Sequence, residues 1–121
     1  MVTITSSELD QFRTAFQDND DAQDALDILE NCNGNLQDAA SIIIGIEKNE
    51  YHLGDQDWVD FENIIKDLRK VVCNQAFEAA FVSSLTGALE YLVGKELGFS
   101  KVFLTFFVVY LSHQGFEYFC N

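Results

Sequence analysis

Residues 25–44 constrain the architecture more than any other stretch of the chain. Ala25, Leu26, Ile28 and Leu29 recur at helical spacing and leave Asp27 and Glu30 for water. Asn33-Gly34 then stops the helix, because glycine tolerates the left-handed conformation that a helix end often needs. Asn35 can accept from the free N–H groups of the next turn, and Asp38 falls in that turn, where the helix dipole favours negative charge. The stretch therefore predicts a helix, a tight turn with Gly34 at positive φ, and a second helix.

The remainder of the chain reads as helices around this hairpin. Thr5 and Glu8 are spaced as a capping box, and Leu9, Phe12 and Phe16 follow at i, i+3 and i+7. Residues 17–21 form a polar turn. Helices are expected from about Asp21 to Asn31 and from Leu36 to about Lys48, with a shared core of Leu9, Phe12, Phe16, Leu26, Leu29, Leu36, Ala39, Ile42 and Ile43. Residues 49–56 read as a linker that includes Tyr51, Leu53 and Gly54, and Asp55 or Asp57 is expected to cap the next helix. That helix carries Trp58, Phe61, Ile64, Ile65, Leu68, Val71 and Val72 on one face. Asn74 marks a break or a kink, and residues 75–97 read as one long helix, apolar on most sides and therefore central. Gly98 ends it, Ser100 caps a final helix over residues 101–112, and Gly115 interrupts the chain before its last residues. There is no proline to break these helices. Residues 103–110 are rich in β-formers, but turn chemistry and partner strands for a sheet are missing. The fold class expected is all-α.

The placing of Ile28-Leu29, Gly34-Asn35 and Ile43-Ile44 resembles the second and third helices of the ubiquitin-associated-like (UBA-like) three-helix domain. The resemblance covers roughly the first forty-five residues. It implies a UBA-like unit over residues 4–48 and a role in protein binding, of ubiquitin in some members and of translation or chaperone partners in bacterial relatives. Members that bind ubiquitin use an apolar loop after the first helix together with the end of the third. Here Asp18-Asn19-Asp20 stands at that loop, so usual-mode ubiquitin binding is not expected. Residues 56–121 carry no recognised pattern and read as a more apolar helical bundle packed on the first unit.

Charge narrows the partners. The chain carries a net −13, of which residues 1–57 hold −11 and residues 58–121 hold −2. Such a surface repels phosphate, so neither nucleic acid nor an anionic membrane surface is an expected partner. A basic protein partner and a merely solubilising acidic face both remain open. The first residues show no basic or long apolar stretch of the signal-peptide kind. Cys32, Cys73 and Cys120 do not form a disulfide framework and read as free thiols in a reducing cytoplasm. The apolar run 102–111, broken only by Thr105, is about half the ~20 residues needed to span a bilayer.

No catalytic or metal pattern emerges. Asp18-Asn19-Asp20-Asp21 begins like a calcium loop, but Gln23 stands where glycine is required and Leu29 where the bidentate glutamate belongs. His52 and His113 have no Cys or His at ligand spacing, and nothing pairs either with a nucleophilic cysteine. The expectation is a non-enzymatic cytoplasmic adaptor without a cofactor. The alternative is a helical bundle binding a small apolar ligand in an aromatic-lined pocket. Candidate partner-binding residues are Ile43 and Ile44, at the end of the third helix, with Phe103, Phe106, Phe107, Tyr110, Phe116 and Phe119. The Phe cluster itself reads first as core and second as such a pocket; because one small bundle need not cover so much apolar surface, residues 99–119 are also the expected interface of a homodimer or of a stable complex with a partner.

Overall fold

A computed structural model describes residues 3–48 and 55–121. Among them the chain forms α1 (Ser6–Ala15), α2 (Asp20–Asn31), α3 (Leu36–Lys48), α4 (Asp55–Val72), α5 (Gln75–Ser83), α6 (Leu85–Gly94), α7 (Lys101–Gln114) and α8 (Phe116–Cys120). The fold is all-α; the one β contact among the described residues is an isolated antiparallel bridge between Thr3 and Asn35.

The helix starts follow their caps. Thr5 and Glu8 close a reciprocal capping box at α1. Asn19, Asn74, Ser84 and Ser100 each accept from a backbone N–H three residues on, opening α2, α5, α6 and α7. Asn35 does the same for α3, accepting from Asp38 N at 3.0 Å. In the turn before it Asn33 lies at φ 55° and Gly34 at φ 79°. Gly34 also donates to the Leu29 carbonyl, as left-handed helix ends do, and its own carbonyl accepts from Ile4 N at 2.8 Å.

Several expectations are corrected. Residues 75–97 do not form one helix. Ser84 is extended (φ −167°, ψ 153°), and its hydroxyl accepts from Gly87 N, so that α5 ends and α6 begins at one residue. The second segment ends at Gly94 rather than near Gly98. The central helix is accordingly α7, in which every residue from Phe103 to Val109 is buried. Its one polar residue there, Thr105, satisfies its hydroxyl locally by donating to the Lys101 carbonyl at 2.7 Å. Ile42 is 40% exposed and not in the core, whereas Ile4 is buried. The helix after the linker begins at Asp55, so Asp55 and Asp57 lie in its first turn rather than before it. Most of the linker (residues 49–54), with Tyr51, His52, Leu53 and Gly54, lies outside the described residues. Finally, Cys73 and Cys120 are joined in a disulfide; only Cys32 is a free thiol. Their separation of 47 residues hid the pairing, because it depends on α8 folding back beside the end of α4.

The buried side chains make one continuous core. Helix α7 packs against α2, α3, α6 and α8, while α3 packs on α4 and α5 on α6. Polar contacts tie the first three helices to the later ones. Thr86 donates to the Ala15 carbonyl at 2.9 Å. His113 near the end of α7 lies 3.0 Å from the Glu8 carboxylate. Glu47 of α3 accepts from both the backbone N–H and the hydroxyl of Ser100, which sets a carboxylate on the positive end of the α7 dipole.

Candidate interaction surface

Burial sorts the expected partner-binding residues. Ile43, Ile44, Phe103, Phe106, Phe107 and Phe119 are all buried, with at most a twentieth of their surface accessible. They are core side chains and offer no face to a partner. Tyr110 and Phe116 are half-buried and packed against that core. Of the aromatics of residues 99–119, Phe103, Phe106, Phe107 and Phe119 are therefore interior, Phe99, Tyr110 and Phe116 are half-buried, and Tyr118 is exposed.

The aromatic rings lie against one another. Phe61 of α4 meets Phe103, Phe106 and Tyr110 of α7 at centroid distances of 6.0, 5.1 and 5.4 Å. Phe99 stacks on Phe103 at 4.7 Å, and Trp58 lies 5.4 Å from Phe61. A second group joins Phe77 to Phe81, Tyr91 and Phe116. Tilted and edge-on pairs at these spacings are the ordinary packing of an aromatic core. Burial raises the pKa of the Tyr110 hydroxyl, which stays neutral well above physiological pH.

Among the described residues the large apolar side chains that face out are Ile42, Ile46, Val59, Val82 and Tyr118. Two of these share one helix: Asp38, Ile42 and Ile46 succeed each other along α3 at intervals of four. Ile46 is 54% exposed and Ile42 40%. The opposite side of α3 buries Leu36, Ala39, Ala40, Ile43 and Ile44. The expected pair Ile43-Ile44 thus lies on the buried side, and the exposed aliphatics of α3 are Ile42 and Ile46. The signal was present, since the phase set by Leu36, Ala39 and Ala40 carries Ile43 inward and swings Ile42 and Ile46 out.

The acidic turn at residues 17–21 is organised as a helix junction. Asn19 caps Ala22, and the Gln23 amide donates to the carbonyls of Arg13 and Phe16 at 3.1 and 2.9 Å, filling acceptors at the end of α1. Arg13 donates back to Gln23 at 2.9 Å and pairs with Asp27 at 2.8 Å; that bond raises its already high pKa. Asp18, Asp20 and Asp21 stay exposed. Among the described residues no group of three His, Cys, Asp or Glu is placed to hold a metal ion. The half-buried Cys32 thiol has its pKa pushed up, by burial first and Asp38 second, which disfavours the reactive thiolate. No helix among the described residues is long and apolar enough to cross a membrane.

Comparison with family models, with curated proteins and with solved structures finds no match to this chain.

Proposed function

We propose that the chain is a non-enzymatic protein-binding adaptor of UBA-like architecture, and that its partner seats on the outer side of α3. The observation that carries this reading is the pair Ile42 and Ile46, two large aliphatic side chains one helical turn apart and open to solvent on a helix whose other side is fully packed. The UBA-like resemblance gives the third helix a role in binding, and this pair lies on that helix. The acidic surface supports a protein partner over nucleic acid or an anionic membrane. The exposed carboxylates of Asp18 and Asp20, where an apolar loop would stand, disfavour usual-mode ubiquitin binding, because docking would strip water from them. The cytoplasmic expectation took all three cysteines as free thiols. With Cys73 and Cys120 paired, the cysteines no longer support that expectation.

Two measurements test the reading. Capture from the source cell with the wild type and with the Ile42→Asp/Ile46→Asp variant should retain a protein with the first and lose it with the second, both having the same helical circular dichroism. Retention by both variants, or by neither, overturns the assignment to α3. Titration with labelled ubiquitin should give no saturable shifts; saturable shifts at Asp18–Asp21 and α3 would show that ubiquitin is the partner after all.

A further inference from the structure

Helix α8 is a five-residue segment with an unusual attachment. It leaves α7 through Gly115 at φ 94°, and no side chain caps its start. One turn of helix does not persist in water on its own, so its place depends on what holds it. Two rings point inward. Phe119 packs on Phe107 and Tyr110 of α7 at 5.8 and 6.4 Å, with the Arg69 guanidinium of α4 over its face at 5.0 Å. Phe116 lies against Phe77 and Phe81 of α5 at 5.9 and 5.8 Å. The other side of α8 faces water, with Tyr118 76% exposed. At its far end Cys120 is bonded to Cys73, just beyond α4, and both cysteines are only half-buried.

We propose that the Cys73–Cys120 disulfide is a redox latch: closed, it straps α8 across α4, α5 and α7, and reduction releases α8 while α1–α7 stay folded. The reductant is a dithiol. One of its thiolates attacks a sulfur of the bridge, breaking the Cys73–Cys120 bond and forming a mixed disulfide. Its second thiol then closes the reductant's own disulfide. Two electrons and two protons pass to the protein, leaving Cys73 and Cys120 as thiols. The partial exposure of both cysteines gives the dithiol access. Release stays local because the central helix α7 is held by α2, α3 and α6 as well as by α8. What it uncovers is aromatic surface, the faces of Phe77, Phe81, Phe107 and Tyr110 that Phe116 and Phe119 cover.

The test is hydrogen exchange on the full chain with and without dithiothreitol, in a Cys32→Ser background that prevents thiol rearrangement. The Phe119 amide, which donates to the Gly115 carbonyl at 3.1 Å, should exchange about tenfold faster or more on reduction, while amides in α2 and α7 keep their protection. An anilinonaphthalene dye should brighten on reduction and dim on reoxidation. Cys73→Ser and Cys120→Ser should each reproduce the reduced state without reductant, and reduction of the bridged protein decides the matter if either fails to fold. An unchanged Phe119 amide would make the bond a redundant cross-link. Loss of protection in α2 and α7 together with α8 would make it a staple of the whole fold. Either result overturns the latch.

Discussion

Gly34 is held by two independent constraints. Its φ of 79° is one that side chains resist, and a Cβ there would lie 2.0 Å from the Ile4 carbonyl oxygen, in the backbone itself. Gly34→Val should therefore lower stability by roughly 2 kcal/mol or more and separate the N-terminal segment from the α2–α3 turn. Gly94, at a helix end with nothing within 4 Å, is the control: Gly94→Ala should leave stability unchanged or raise it by up to about 1 kcal/mol. Chemical denaturation of both variants measures the difference. Glu8 sits at a second residue-level junction, between its own capping box and His113. The bond to His113 first, and the Thr5 N–H next, hold its carboxyl below the ordinary value of 4.5. A carboxyl depressed in the folded state adds stability above its unfolded value, and that stability is lost as pH falls through the lower folded value. Glu8→Gln should therefore melt below the wild type at neutral pH, and the gap should close as pH drops below about 4. Melting curves of both proteins across that range would show it.

Among the elements, the joint at Ser84 separates what was legible in the sequence from what was not. The α2–α3 hairpin could be read because Asn33-Gly34-Asn35 states a stop and a start in adjacent residues. The α5–α6 boundary has no such punctuation. Gly87 beyond it reads as a small helix-packing residue, and serine at 84 is compatible with a helix interior until its hydroxyl is seen to accept from Gly87 N at 2.8 Å. A cap formed inside an apolar stretch is decided by packing, and packing is not local. Which isoleucines of α3 face out was hard to read for a different reason: Ile42, Ile43 and Ile44 are chemically alike, and only the exact phase of α3 separates the exposed one from its buried neighbours. Ser84→Ala removes the α6 cap and should cost about 1 kcal/mol, a fall in Tm of about 3–5 °C for a chain of this size. No change in Tm would mean that the α5–α6 bend is fixed by packing alone.

At the scale of the whole molecule, the aromatics of the later helices act as interior. The sequence raised three uses for them: core, interface and ligand pocket. Their positions on α7 are apolar nearly all round, which in isolation suits any of the three. The partners that bury them, α2 and α3 on one side and α4, α6 and α8 on the others, are set by topology that spacing alone does not carry. The consequence is that helices α1–α3 do not close a core of their own. Leu26, Leu29, Ile43 and Ile44 are buried in the continuous core that also contains Phe103, Phe106 and Phe107. The first forty-eight residues and the last sixty-seven should therefore unfold together.

Native-state hydrogen exchange in rising denaturant tests this most directly. The most protected amides of α2, α3 and α7 should exchange with one common free energy and one common denaturant dependence, that of global unfolding. A separate, lower free energy for α7, with α1–α3 still protected after it has opened, would contradict it.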